Sequence, residues 1–233
     1  MKHTKLMLFL LIIASKALLA QIPVLDIHFA VITKNPKAHR VATLAQLHKE
    51  VELLNTYFVT ENRKPIVRFR LKSSSFYDQV KHSNCEFVHL GDTTRKYSSN
   101  GWAELFNRCN DVKLKDPKAI NFYIYDSYSE KRGFADQNGH GKRNSNRPYV
   151  LIDWERLDHK TQSPEEHEMG HALGLGHVCS PGAKQNSPTN IMSSSDCGKG
   201  SGGLRDIGFD DEQVKTILHY VQKIIKKQHQ THE

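Results

Sequence analysis

The chain has little cysteine and no apolar run long enough to cross a bilayer. None of its four cysteines has the spacing of a zinc-ligand motif. After residue 20, no segment approaches the length of a transmembrane helix. Internal repeats and low-complexity linkers are also absent, which excludes a repeat protein and a string of tethered domains. The basic residues are spread along the chain and form no nucleic-acid module.

Residues 1–20 have the pattern of a secretory signal peptide. Their start is basic, the apolar run at residues 6–14 is too short to span a bilayer, and small residues follow. We expect cleavage after Ala20, or alternatively after Ala17, and a secreted protein, or a periplasmic one in a bacterium. An uncleaved membrane anchor is the competing interpretation. Removal of this segment lowers the formal net charge from +8 to +5.

Residues 21–233 are predicted to form a single domain, because a chain of this length can bury one sizeable core. We expect a monomer with no stable membrane association after signal cleavage and no nucleic-acid partner. Its mild positive charge favours acidic surfaces or substrates. The even number of cysteines and the predicted export permit disulfide bonds.

Apolar periodicity predicts an α/β (α+β) chain. A helix is predicted from Leu44 to Phe58, where apolar residues recur at three- and four-residue steps, and a last helix opens at Phe209 and Asp210. Residues 132–147 are rich in glycine, asparagine and lysine, which predicts a surface loop after an edge strand near Phe134. Strands are predicted at residues 24–32, 66–71, 120–125 and 149–152, and a further short helix at residues 102–106.

The most specific pattern in the chain is H-E-x-x-H-x-x-G-x-x-H. His167 and His171 are four residues apart, so a helix places both imidazoles on one face, within reach of a single metal ion. Gly174 can adopt the left-handed conformation that ends a helix, and this turn can bring His177 back as a third ligand. Three nitrogen ligands leave a fourth tetrahedral position for water, as in a catalytic zinc site. Glu168 stands beside the first ligand, where it can reach that water.

The residues before this pattern predict where its helix begins. Ser163, Pro164 and Glu166 match a capping box with proline at the first helical position. The helix is predicted to run from about Pro164 to Leu173. The alternative is a surface helix with scattered histidines in a histidine-rich chain. The other eleven histidines show no ligand spacing, which favours solvated or packing roles for them.

Together with N-I-M-S at residues 190–193, the histidine motif resembles the metzincin clan of zinc endopeptidases, in which a long histidine motif is followed by a Met-turn. The resemblance implies that the three histidines bind zinc, that Glu168 is the general base and that Met192 lies beneath the metal. It also implies a twisted mixed sheet and helices above the zinc cleft, with a smaller, irregular lower subdomain ending in a C-terminal helix.

Within the clan, the cysteine layout is similar to the pappalysin-like branch or a related small secreted branch. Cys179 lies two residues after the third ligand, and Cys197 lies five residues after Met192. We pair Cys179 with Cys197 and Cys85 with Cys109. The first bond would join the loop of the third ligand to the Met-turn and contribute roughly 3 kcal/mol in the chain-entropy model.

The resemblance implies a secreted endopeptidase with one catalytic zinc ion, while a structural calcium ion is not indicated by the sequence. A peptide substrate would lie extended along the edge strand near Phe134, as an added strand. Ser194 departs from the astacin-like and serralysin-like members, which carry a tyrosine there, so no role of that tyrosine transfers. The alternatives are a zinc-containing binding or adhesion protein without turnover, and a zinc hydrolase acting on a non-peptide bond. The intact ligands and Glu168 favour an enzyme.

Overall fold

A five-stranded sheet organises the chain. The computed structural model describes residues 21–33, 35–76, 113–125, 128–129, 134–135, 140–142, 148–157, 164–195 and 202–230. In chain order the elements are β1 (Val24–Val31), α1 (Pro36–Val41), α2 (Leu44–Tyr57), β2 (Arg68–Phe76), β3 (Ile120–Tyr125), β4 (Tyr128–Ser129), β5 (Phe134–Ala135), β6 (His140–Lys142), β7 (Tyr149–Asp153), α3 (Pro164–Ala172), β8 (Val178–Cys179), β9 (Ser193–Ser194) and α4 (Asp211–Gln230), with a 3₁₀ turn at Trp154–Arg156 after β7.

The strand order of the sheet is β2-β1-β3-β7-β6. The first four strands are parallel, and β6 runs antiparallel to β7 at one end of that order. Helices α1 and α2 lie in the chain between the parallel strands β1 and β2, and α2 and α3 cover one face of the sheet. The predicted α/β class and mixed sheet are therefore confirmed.

Strands β3 and β7 are buried along their whole length, which explains why their sequences are nearly continuous apolar runs. One face of the sheet packs against α2 and α3 in a single apolar cluster. On the sheet, this cluster contains Leu25, Ile27, Phe29, Val31, Ile120, Phe122, Ile124, Val150 and Ile152. From the two helices it takes Leu47, Val51, Leu54, Met169 and Ala172. The ligand helix α3 is thus fixed to the sheet by its apolar side.

Helix α2 begins where its sequence provides a cap. The Thr43 hydroxyl accepts a hydrogen bond from the backbone N–H of Gln46. The predicted apolar stripe is correct except at its first member, because Leu44 is 50% exposed in the first turn, whereas Phe58 is fully buried. The predicted helix bounds are otherwise close to the observed ones.

Strand β2 is longer than its sequence indicated, since it was predicted only to Leu71 and continues to Phe76. Its register against β1 shifts after Ile27, which pairs with Leu71, and His28 then pairs with Ser73. Lys72 is the extra residue of this bulge. The polar run that follows lacks apolar alternation, so the second half of the strand could not be predicted from the pattern.

The region of residues 132–147 is not only a loop, which corrects the predicted edge of the sheet. Phe134 lies in β5, which pairs with β4 in a separate two-stranded ladder. Among the described strands, β6 lies at the edge of the main sheet next to β7, and it begins six residues after Phe134. Its sequence, His-Gly-Lys, is polar and short, as edge strands commonly are, and this hid it from a search for apolar alternation.

After α3, the described residues up to Asp210 are mostly irregular, and α4 begins at Asp211. The first turn of α4 is capped reciprocally: the Asp210 carboxylate accepts from the N–H of Gln213, and the Gln213 side chain accepts from the N–H of Asp210. The buried stripe of α4 comprises Ile217, Val221 and Ile224. Among the described residues, no helix has the length and apolarity that crossing a membrane requires. The helix predicted at residues 102–106 lies outside the described residues.

Candidate metal centre

Helix α3 ends as the sequence predicts, at the glycine of the motif. Gly174 has a φ of +93°, in the left-handed region. Its N–H donates to the carbonyl of His171 at 2.9 Å, and the N–H of Leu175 donates to the carbonyl of Gly170 at 2.9 Å. These two bonds form a Schellman motif. They turn the chain sharply and carry His177 back toward the helix.

The three motif histidines meet at one point. His167 and His171 project from α3, and their Nε2 atoms are 3.1 Å apart. The Nε2 atoms of His171 and His177 are 3.0 Å apart. Among the described residues, these three form the one group of histidine, cysteine or acidic side chains with metal-ligand spacing. Tetrahedral zinc with Zn–N bonds of 2.0–2.1 Å would separate its nitrogen ligands by about 3.3 Å, close to the observed spacing.

The outer nitrogens of two ligands are held by backbone carbonyls. His167 Nδ1 lies 2.8 Å from the carbonyl oxygen of Ile191, and His171 Nδ1 lies 2.9 Å from that of Leu175. Because a carbonyl can only accept, each Nδ1 carries the proton, and in the neutral ring Nε2 then presents a bare lone pair. Two bare lone pairs at 3.1 Å repel unless a cation lies between them. The donor set therefore fits a divalent metal, and carbonyl partners of this kind are the usual second shell of zinc-binding histidines.

The electrostatic surroundings keep His167 in the form that binds metal. Burial lowers the pKa of His167 to about 3, and the positive charge of Arg205 acts in the same direction, against the hydrogen bond to Ile191. The ring is therefore neutral at physiological pH. His171 is partly buried and His177 is exposed, so the metal position opens to solvent on the side of the third ligand.

Met192 lies beneath the helix that carries the first two ligands. It is fully buried, and a Cβ added to Gly170 would collide with its sulfur atom. Gly170 lies between the two ligands on α3, so the thioether packs directly against the helix at the level of the metal position. The role of Met192 as a Met-turn residue beneath a bound metal stays a prediction. We refer to residues 190–193 as the Met192 turn, since the N–H of Ser193 donates to the carbonyl of Asn190.

The Met192 turn is also tied to the segment of the third ligand. The backbone N–H of Val178 donates to the carbonyl of Met192 at 2.8 Å, and β8 pairs in parallel with β9. Ser193 and Ser180 share a hydrogen bond between their hydroxyls at 2.8 Å. Because Val178 follows His177 directly, these contacts fix the position of the third ligand relative to the other two.

For the remaining predicted site residues, the structure gives only their burial or bonding state, or does not describe them. Glu168 follows the first ligand on α3 and is half-buried, and its role as general base stays a prediction. Cys179 is disulfide-bonded. Cys85, Cys109 and Cys197 lie outside the described residues, as does Ser163 of the capping box, so both cysteine pairings and this cap stay predictions.

Three features of the site region were not found from the sequence. Arg205 has a φ of +51°, and its Nε donates to the carbonyl of Ser193 at 2.8 Å; no sequence pattern marks it. Gln213 bonds to the Met192 turn, and its D-x-x-Q spacing from the helix cap is a signal that could have drawn attention to it. The third feature is a buried acidic pair, Glu50 on α2 and Glu165 on α3.

The acidic pair lies behind the ligand helix. Burial, together with the charges of Glu50 and Glu166, raises the pKa of Glu165 well above its ordinary value. The side chain of Gln46 donates to Glu50 at 2.6 Å. Two carboxyl groups in one buried position favour a shared proton, so this pair joins α2 to α3 in a partly protonated state.

No family model matches the chain, and no curated protein matches it. Among solved structures, the chain is similar to archaemetzincin from Methanopyrus kandleri, at 16% sequence identity and with a TM-score of 0.42. The match covers 85% of this chain and 96% of that one. Because this likeness is distant, the function is inferred from the residues of the site itself.

Proposed function

We propose that the protein is a zinc-dependent endopeptidase of metzincin type, exported by its first 20 residues and active as a monomer. The observation that carries the proposal is the convergence of three imidazoles, two of which have their bare Nε2 atoms fixed toward each other by carbonyl partners. His167, His171 and His177 would hold one zinc ion. The pappalysin-like branch and the cysteine pairings belong to the same proposal.

The residues divide the chemistry between them. Zinc, when bound, lowers the pKa of a water ligand to about 7 and polarises the scissile carbonyl. Glu168 would accept a proton from the attacking water and return it to the leaving amine. The carbonyls of Ile191 and Leu175 keep the imidazoles oriented, so the ligands need no reorganisation during the reaction.

The substrate would bind at the edge of the sheet. In the part of the chain described, β6 pairs with β7 alone, and α3 lies against β6. An extended peptide that adds to the outer side of β6 as a further strand would therefore run alongside the ligand helix. This moves the proposed substrate strand from Phe134 to His140–Lys142.

The test is peptide cleavage by the wild type and by Glu168→Gln, with zinc content measured on the same samples. Glutamine has nearly the same shape as glutamate but accepts no proton at neutral pH, so zinc should stay bound. The cleavage rate should fall by about two to four orders of magnitude, the usual contribution of a general base. Glu61→Gln, at an exposed position outside the site, serves as the matched control and should cleave normally.

Two outcomes would contradict the proposal. Equal cleavage by the wild type and Glu168→Gln would show that this glutamate is not the base. A zinc-loaded wild type that cleaves nothing in a broad peptide library would favour a zinc-containing binding protein instead.

A further inference from the structure

We propose that Gln213, in the first turn of α4, is a positioning residue for the metal centre. Through the Met192 turn it would fix the orientation of His167, the most buried of the three ligands. The inference rests on the proposed zinc site, but it concerns a residue outside the histidine motif, on a helix that contributes no ligand.

The contact between α4 and the Met192 turn is a reciprocal pair of amides. Asn190 Nδ2 donates to Gln213 Oε1 at 2.9 Å, and Gln213 Nε2 donates to Asn190 Oδ1 at 3.1 Å. Gln213 is 8% exposed, so water competes little with these bonds. Asn190 is partly buried, and amides bonded in both directions hold their partners in one relative position.

The surrounding donors and acceptors allow only one orientation of this pair. Asn190 Oδ1 accepts from the backbone N–H of Met192 at 2.9 Å, and Asn190 Nδ2 donates to the carbonyl of Gly208 at 3.1 Å. Gln213 Oε1 also accepts from the N–H of Asp210. Rotating either amide by half a turn would bring donor against donor or acceptor against acceptor at these contacts. The two amides therefore have one relative orientation, and this orientation fixes the position of the Met192 turn.

From the turn, two short paths lead to the ligand helix. The carbonyl of Ile191, the second residue of the turn, accepts from His167 Nδ1 and so sets the rotation of that ring. The side chain of Met192, the third residue, packs against Gly170 between the two helical ligands. A shift of the turn would consequently move both the hydrogen-bond partner of His167 and the packing beneath it.

Gln213→Leu tests this role, because leucine keeps a similar volume and removes all three side-chain hydrogen bonds of Gln213. We expect zinc to bind about tenfold more weakly, since loss of a group that supports a metal ligand commonly costs 10- to 100-fold in affinity. Gln213→Glu keeps the acceptor for Asn190 and Asp210 but replaces the donor with a carboxylate oxygen that faces Asn190 Oδ1, so zinc binding should be weakened in this variant as well. The affinity is measured by competition with a chromophoric chelator on the full mature chain.

A control separates positioning from general weakening of α4. Val221 is fully buried on the same helix, two turns from Gln213. Val221→Ala should reduce stability but leave zinc affinity unchanged. As a second readout, Co²⁺ replaces zinc, and the visible absorption bands report the ligand arrangement. These bands should change in Gln213→Leu and stay as in the wild type in Val221→Ala.

Unchanged zinc affinity and an unchanged cobalt spectrum in Gln213→Leu would overturn the positioning role while leaving the proposed function intact. If Gln213→Leu fails to fold, Gln213→Glu is the test of the positioning role. Wild-type zinc affinity and a wild-type cobalt spectrum in Gln213→Glu would show that the donor to Asn190 is dispensable and would overturn that role. A wild type that binds neither zinc nor cobalt would overturn both the metal centre and this inference.

Discussion

The sheet and the segment of residues 173–210, which we call the polar segment, are each held in place by different interactions. Strands β3 and β7 are apolar along their length and buried on both faces, so their position is fixed by the apolar area that they remove from water. In the segment after α3, the described strands are the two-residue pair β8 and β9. The segment contributes Leu175, Ile191, Met192 and Phe209 to the apolar cluster. Its backbone is held in addition by side chains that bond to backbone groups, above all Asn190, Thr189 and Arg205.

This contrast has a consequence for the site. Apolar contacts tolerate small shifts, whereas a hydrogen bond fixes its partners to within a few tenths of an ångström and a narrow range of angles. The two helical ligands are anchored from the sheet side by apolar packing, and their ring orientations are set by carbonyls of the polar segment. Apolar packing thus fixes the ligand helix on the sheet, and the hydrogen bonds of the polar segment fix the orientation of the two imidazoles.

The largest effect that would sharpen this contrast is expected from His177→Ala. His177 is exposed and belongs to the polar segment, so the fold should remain intact. Loss of a ligand should weaken zinc binding by more than the roughly 100-fold seen for supporting groups. The measurement is chelator competition together with urea unfolding of the metal-free protein. His219→Ala, at an exposed position on α4, is the control; zinc affinity within a few-fold of wild type for His177→Ala would exclude it as a ligand.

A smaller effect is expected at the turn between the two regions. Gly174→Ala and Gly182→Ala both place a side chain at positive φ, +93° and +77°. A Cβ at Gly174 would also collide with the ring of Tyr220 on α4, whereas nothing lies within 4 Å of one at Gly182. The shared backbone cost of about 1–2 kcal/mol cancels between the variants. Gly174→Ala should therefore be the less stable by about 1–3 kcal/mol of overpacking.

The comparison is made by urea unfolding of both variants without metal. Equal losses of unfolding free energy would mean that the ring of Tyr220 yields freely, and that Gly174 is required only for its backbone conformation.

The smallest effect concerns pH and belongs to the sheet. His28 on β1 is buried and bonded to the Ser73 hydroxyl and the Lys113 carbonyl, and burial lowers its pKa below 6.5, although Asp116 opposes the shift. Below pH 6.5 the unfolded chain binds a proton that the folded chain resists, so this contribution to stability is present above pH 6.5 and is lost as the pH falls toward the folded pKa.

His28→Gln should therefore reduce the dependence of unfolding free energy on pH below 6.5, in metal-free protein. The wild type and His28→Gln are compared by urea unfolding at several pH values. An unchanged slope for His28→Gln would show that His28 titrates alike in the folded and unfolded chain.

The contrast between the apolar sheet and the polar segment also explains which features could be predicted from the sequence. Strands 120–125 and 149–152, the helix at Leu44 and the ligand helix all follow from apolar periodicity, capping residues or fixed ligand spacing, which are local in the chain. The end of α3 at Gly174 was predictable because only glycine adopts that conformation without strain.

The features that could not be predicted depend on contacts between distant residues, which produce no periodic pattern in the sequence. The carbonyl of Ile191 meets His167 across 24 residues, and Gln213 meets Asn190 across 23. Any residue has a carbonyl, so the sequence does not mark the one that orients a ligand. Strand β6, which pairs with one neighbour among the described strands, was missed for a related reason: its polar sequence carries no apolar alternation.

The central claim is that three imidazoles, oriented by the polar segment, hold one zinc ion. Elemental analysis combined with X-ray absorption at the zinc edge tests it most directly on the mature wild-type protein. We expect one zinc per chain, with three histidine nitrogens at about 2.0–2.1 Å and a further light atom completing the shell. A chain free of zinc after purification in its presence, or a zinc ion with sulfur at about 2.3 Å in its shell, would contradict the account.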